Sequence, residues 1–179
     1  RWINMGGGHL VTKEGYDTGH LVNILKDFRN KWGLKVILEP GSAFAWDTGE
    51  LVATVEDVVE NKGIKTAILD VSFTAHMPDC LEMPYKPAII GAEEPGEGKY
   101  NYRMGGNSCL SGDFMGDWGF SKEILPGDRI IFRDMIHYTM VKTTTFNGVA
   151  HPSIGIWTKN GKFKLIRAFD YEDYKSRLS

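Results

Sequence analysis

A chain of 179 residues with 21 basic and 23 acidic side chains has a net charge of −2, which provides no electrostatic footprint for nucleic acid. Its 42% apolar and 25% charged content is that of a globular protein with a core, and no apolar run approaches the roughly 20 residues that a membrane-spanning helix needs. Cys80 and Cys109 stand in unlike contexts without a secretory signal, so free thiols in a cytoplasmic protein are expected rather than a disulfide.

Trp2-Ile3-Asn4-Met5 reads as a buried strand running into Gly6-Gly7-Gly8. A chain that opens on a core strand behind Arg1, with no initiator methionine, is expected to be a fragment whose upstream part is absent. A helix follows from Asp17 or Thr18, either of which can cap it, with an apolar stripe of Leu21, Ile24, Leu25, Phe28 and Trp32. Gly33 suits its C-terminal end. Leu34 to Leu38 is a second strand, closed by Glu39-Pro40-Gly41. Strand, helix, strand makes a βαβ unit with parallel strands and a right-handed crossover.

After Gly41 the pattern changes. Strands are predicted at 50–60, 64–73, 86–91, 99–105, 128–135, 138–146, 153–158 and 162–169, bounded by turn residues. Asn160-Gly161 predicts a type I′ hairpin, Pro126-Gly127-Asp128 a turn, and 92–98 a solvated loop. A short helix is expected from Asp170 to the end. The fold class is thus a small α/β piece over 1–41 followed by a mostly antiparallel β domain over 42–179.

The glycines and Glu39 lie at the carboxyl ends of two parallel strands, the edge where α/β proteins bind ligands. Three glycines alone read as a flexible turn. Between a strand and a capped helix, with an acid on the next strand end, they are read as backbone N–H groups converging on an anion. Glu39 is either a solvated strand-end carboxylate or a partner for a cationic ring nitrogen. Cys109 stands in a polar loop, Gly105-Gly106-Asn107-Ser108-Cys109-Leu110-Ser111-Gly112-Asp113, where a thiol can relay protons. Cys80 reads as structural, and Tyr138 by itself reads as packing. The histidines at 9, 20, 76, 137 and 151 show no metal-binding spacing, so no metal site is expected.

In this order the pieces resemble the fold-type III pyridoxal-phosphate decarboxylases, which include ornithine, diaminopimelate and carboxynorspermidine decarboxylases. The resemblance runs from Gly6 to Gly148. It implies that Gly6, Gly7 and Gly8 bind the cofactor phosphate with help from Gly41, Ser42 lying beside them, and that Glu39 pairs with the pyridine nitrogen. It further implies that Cys109, in Cys-Leu-Ser-Gly-Asp, enters the active site of a partner subunit with Ser111 and Asp113 near substrate, and that Tyr138 contacts the cofactor. Gly6 to Thr12, Tyr16-Asp17 and Phe73 to Asp79 are similar to the carboxynorspermidine branch. Ser42 and Leu110 fit that branch, since ornithine and diaminopimelate enzymes carry arginine at the first position and ornithine decarboxylase an aspartate at the second.

What the branch implies is decarboxylation of carboxynorspermidine or carboxyspermidine. Its distal amine would be held by another acid, for which Asp79 is taken, with His9 also on the substrate side. The resemblance makes 1–41 about the last two strands of a cofactor-binding (β/α)8 barrel and 42–179 the C-terminal β domain of a homodimer with shared active sites. The lysine that bonds the cofactor would lie upstream of Arg1, leaving the isolated chain inactive. Two alternatives stand: a diaminopimelate- or arginine-type decarboxylase of the same fold, and a noncatalytic dimerisation or binding fragment.

Overall fold

The computed structural model describes residues 1–178. Trp2–Asn4 forms β1, Thr18–Trp32 forms α1 and Lys35–Ile37 forms β2, and β1 and β2 pair in parallel. The Asp17 carboxylate accepts the His20 N–H at 2.8 Å, which makes Asp17 the cap, and Gly33 turns left-handed at φ 61° to end the helix. Of the apolar stripe, Leu21, Leu25 and Phe28 are half-buried while Ile24 and Trp32 stay exposed.

This first unit extends through Gly49, and a second begins at Glu50. The division falls later than the expected break at 42. Residues 42–49 hold to the first unit because Thr12 Oγ1 donates to the Ala43 carbonyl and the Lys13 ammonium lies 5.4 Å from the centre of the Trp46 ring.

The second unit is built on β3 (Leu51–Asn61), β4 (Ile64–Leu69), β5 (Ala92–Glu93), β6 (Tyr100–Gly105), β7 (Phe114–Phe120) and β8 (Arg129–Phe132). They form one six-stranded sheet in the order β5-β7-β6-β4-β3-β8. All neighbours are antiparallel except β4 and β6. A parallel pair requires a crossover, and the helices α2 (Phe73–His76) and α3 (Pro78–Glu82) lie within it. Alternate residues supply the core: Ala53 and Val55, Ala67 and Leu69, Tyr102 and Met104, Trp118 and Phe120, Ile130 and Phe132. Phe73, Met77 and Cys80 from the helices complete it, Phe73 meeting Phe132 edge-on at 5.8 Å.

Three strand assignments change. Residues 86–91 make only an isolated bridge through Ile89, and β4 stops at Leu69 because Ser72 caps α2 by accepting the Ala75 N–H. Residues 138–146 hold a helical turn, α4 (Tyr138–Val141), instead of a strand. In exchange, β7 forms where the sequence pattern predicts none.

The two-residue I′ turn joins β3 to β4, since Lys62 and Gly63 both have positive φ, 50° and 78°. At 160–161 only Gly161 does, and Gly161 N–H reaches the Thr158 carbonyl at 2.9 Å. Between β9 (Ile154–Trp157) and β10 (Phe163–Arg167), Thr158 N–H on the Lys162 carbonyl at 2.9 Å thus closes a three-residue loop over 159–161. The terminal helix α5 (Tyr171–Lys175) carries a reciprocal cap between Asp170 and Asp173.

Candidate cofactor and substrate site

In the first unit the strand ends and the glycines are fastened together by backbone. Glu39 N–H donates to the Gly6 carbonyl at 2.8 Å, extending the β1–β2 ladder beyond the strands. Gly6 and Gly8 have φ of 74° and 86°, where only glycine is unstrained, and a Cβ on either would meet open space. Gly7 differs: a Cβ there would come within 2.5 Å of the Glu39 carbonyl oxygen. The N–H groups of Gly7 and Gly8 meet no acceptor among the described residues. The loop is therefore a backbone cradle with donors available to an anion.

Asn4 ties this cradle to the acid. Its Oδ1 accepts the Gly6 N–H at 2.8 Å and its Nδ2 donates to the Glu39 carboxylate. The carboxylate is exposed and held by a neutral amide, so it keeps capacity for a cation. An anion cradle beside an oriented carboxylate fits a phosphorylated pyridinium group. Asn4 went unrecognised in the sequence, where its only signal is a polar side chain at a strand end two residues before the glycines. His9 Nδ1 and the Tyr16 hydroxyl lie 3.2 Å apart, and Ser42 opens a 3-10 turn, Ser42–Phe44, directly after Gly41.

In the second unit Cys109 tops the loop between β6 and β7. Asp113 is the brace: its buried carboxylate accepts the Thr74 N–H at 3.1 Å and the Ser108 N–H at 3.0 Å, and its carbonyl accepts Gly106 N–H at 2.7 Å. No Cβ fits at Gly106, only 2.3 Å from that carboxylate. Cys109 is left exposed, with its N–H directed at Asn147 Oδ1, 3.4 Å away, and Ser111 is exposed beside it. Asn147 takes a left-handed conformation, φ 59°, in the turn Phe146–Gly148. Cys80 is buried and free, and burial pushes its thiol upward, away from reactivity.

Tyr138 begins α4 as a 49% exposed residue, its ring edge-on to His137 at 6.2 Å. Asp79 is buried in the first turn of α3, and its carboxylate receives the Lys142 ammonium at 2.9 Å. Lys142 also donates to Glu82, and the Glu82 and Asp79 carboxylates together hold its ammonium above the usual lysine range. The acid expected to take a distal amine is thus already matched by a cation of the chain. Among the described residues no group of three or more His, Cys, Asp and Glu side chains could hold a metal ion, and no helix is long and apolar enough to cross a membrane.

His76 is the other unusual group. It is buried, its Nδ1 accepts the Ser72 N–H at 3.1 Å, and it lines a cavity of about 260 Å³ with Met135, Thr139 and His151. Burial, and secondarily the nearby His151, pushes its pKa down to about 4. The unfolded chain takes up this proton near the usual 6.5 and the folded chain only near 4, so stability falls as pH drops between the two. The loss amounts to about 3 kcal/mol once pH is below both values. Asparagine at 76 can accept the same N–H but does not titrate, so His76→Asn should flatten the fall in Tm between pH 7 and pH 4.5. Equal slopes in the two proteins would show that His76 does not control it.

The sequence model of the family described as "Pyridoxal-dependent decarboxylase, C-terminal sheet domain" matches residues 15–136. The chain belongs to that family. It is 56% identical over 178 residues to a carboxyaminopropylagmatine decarboxylase from Synechocystis, covering 99% of this chain and 46% of the relative. It is 44% identical to a carboxynorspermidine/carboxyspermidine decarboxylase from Campylobacter jejuni, covering 99% of this chain and 49% of that protein. The crystal structure of carboxynorspermidine decarboxylase complexed with norspermidine, also from Campylobacter jejuni, superposes with a TM-score of 0.88 at 44% identity, over 98% of this chain and 51% of the other. The chain therefore spans about half the length of the curated relatives it matches. Diaminopimelate decarboxylase from Helicobacter pylori, complexed with L-lysine, shares the fold at a TM-score of 0.75 and 22% identity, covering 99% of this chain and 44% of its own.

Proposed function

We propose that the chain is the C-terminal half of a pyridoxal-phosphate-dependent decarboxylase that releases CO₂ from carboxynorspermidine or carboxyspermidine, leaving norspermidine or spermidine. The likeness to the norspermidine-bound Campylobacter structure along nearly the whole chain carries this reading. The first unit then supplies about the last two strands of a (β/α)8 barrel, and the lysine that bonds the cofactor lies in the other half of the full-length protein. The full-length protein works in the cytoplasm as a homodimer with shared sites.

Pyridoxal phosphate, when bound, supplies the electron sink that takes up the electron pair left as CO₂ departs. Gly7 and Gly8 direct N–H groups at its phosphate, next to Gly6, Gly41 and Ser42. Glu39, oriented by Asn4, holds a proton on the ring nitrogen, so the ring accepts charge more readily. Tyr138 contacts the cofactor. Cys109, raised on its braced loop, serves the site of the partner subunit and returns a proton to the carbon that CO₂ has left. His9 and Ser111 line the substrate side.

A second reading is favoured by the 56% identical Synechocystis relative: the substrate is carboxyaminopropylagmatine, whose far end is a guanidinium rather than an ammonium. The two readings separate when the full-length protein, supplied with pyridoxal phosphate, is assayed for CO₂ release. Carboxynorspermidine and carboxyspermidine should exceed diaminopimelate and arginine in kcat/KM by at least about 10²-fold, the discrimination expected when a site's polar groups are left unpaired by the wrong substrate. A clear preference for carboxyaminopropylagmatine selects the second reading. Turnover confined to diaminopimelate or arginine sinks both.

A further inference from the structure

We infer that Lys142 is a positioning residue for Tyr138, fixing the tyrosine's place in the site by clamping α4 to α3. The inference rests on the reading above, in which Tyr138 contacts the cofactor.

Helices of one turn do not hold themselves in water. α3 has five residues and α4 has four, so their mutual placement must come from contacts outside their own hydrogen bonds. Lys142 is the C-terminal cap of α4, with its N–H on the Tyr138 carbonyl at 3.1 Å. From there its side chain crosses to α3, where the ammonium meets Asp79 at 2.9 Å and Glu82. The same ammonium lies 5.8 Å from the centre of the Tyr138 ring. One cation therefore touches both acids of α3 and the aromatic ring that opens α4. A second tie, Thr144 N–H to the Ala75 carbonyl at 2.8 Å, holds the chain after α4 but leaves the Tyr138 ring untouched.

Asp79 makes the clamp specific. Its side chain is only 10% exposed, against 61% for Glu82. A buried carboxylate deprived of its cation is strongly destabilising, so α3 and α4 are held together by the need to keep that carboxylate paired. The clamp also accounts for a lysine whose two acid partners are more than fifty residues away in sequence.

The test is a double-mutant cycle on pyridoxal phosphate affinity, measured by titrating the full-length apoprotein and following the absorbance of the bound cofactor. Lys142→Met should raise the dissociation constant about tenfold, the usual effect of removing a group that orients a binding residue. Lys142→Arg, which can reach both acids, should stay within about twofold of the parent. Tyr138→Ala removes the group that Lys142 positions, so adding Lys142→Met to it should weaken binding no further. If the two effects multiply, Lys142 acts generally on stability and the inference is overturned. A silent Tyr138→Ala or Lys142→Met overturns it as well. Should Lys142→Met fail to fold, Asp79→Asn combined with Lys142→Met leaves no buried unpaired charge and must show the same tenfold loss. A full-length protein that never binds pyridoxal phosphate would remove the proposed function and this inference together; multiplying effects on a protein that does bind would remove the inference alone.

Discussion

Replacing Glu39 with glutamine in the full-length protein should lower kcat for CO₂ release by about 10²–10³-fold, the scale lost when one preorganised charge partner is removed from an active site. The substitution is informative because it changes charge and little else. Glutamine Oε1 can still accept from Asn4 Nδ2, and the backbone bond from residue 39 to the Gly6 carbonyl is unaffected. What glutamine cannot do is favour a proton on a facing ring nitrogen, because it carries no charge to stabilise the pyridinium. Substrate KM and cofactor affinity should therefore move much less than kcat. Asn4→Ala frees the carboxylate without neutralising it, so its loss in kcat should be smaller, on the order of tenfold. A Glu39→Gln protein with near-normal kcat would remove the ring-nitrogen role from Glu39 whatever the affinity did.

The part of this site that could be read in the sequence is the part built from local rules. The βαβ unit declares itself through a cap at Asp17, a helical stripe and Gly33, all decided within a few residues. Its two strand ends then bring the glycines and Glu39 together automatically, because parallel neighbours share a carboxyl edge. β7 was illegible for the opposite reason. Its sequence, Phe-Met-Gly-Asp-Trp-Gly-Phe, carries two glycines that look like breakers. Gly119 is there because a Cβ would come within 2.7 Å of the Glu94 carbonyl and 2.9 Å of the Gly98 N–H nitrogen; at Gly116 the Cα of Arg103 would be 3.2 Å away. Those are close approaches between distant segments, invisible along one chain.

Tyr138 to Phe146 misled through the β-branched Thr143-Thr144-Thr145. Strand propensity was overridden by contacts from Ala75 and Asp79, which hold that stretch as a helical turn and loop. The same holds for Asn147 and Lys142: their side chains matter because of partners at Cys109, Asp79 and Glu82, and no spacing rule reports such pairs.

Gly7→Ala should be the most damaging single-atom addition to the cradle, weakening pyridoxal phosphate binding by about ten- to a hundredfold in the full-length protein. The three glycines carry different constraints. At Gly6 and Gly8 a methyl group finds open space and suffers only the left-handed backbone, which costs an L-residue roughly 1–2 kcal/mol. At Gly7 the methyl carbon would sit 2.5 Å from the Glu39 carbonyl oxygen, and that atom belongs to backbone. It cannot swing aside like a flexible side chain, because Glu39 N–H is bonded to Gly6 and the Glu39 side chain to Asn4. Relief must come from moving the loop away from β2, which costs about 1–3 kcal/mol as overpacking does. Each 1.4 kcal/mol is about tenfold in affinity. The displacement also shifts Gly6 and Asn4, so kcat should fall in the same variant even at saturating cofactor, whereas Gly8→Ala should be rescued by excess cofactor. Measuring affinity by absorbance titration and kcat at saturation for both variants separates the two constraints. If Gly8→Ala loses as much affinity as Gly7→Ala and neither regains kcat at saturation, the close approach to Glu39 is not what couples the phosphate cradle to the acid.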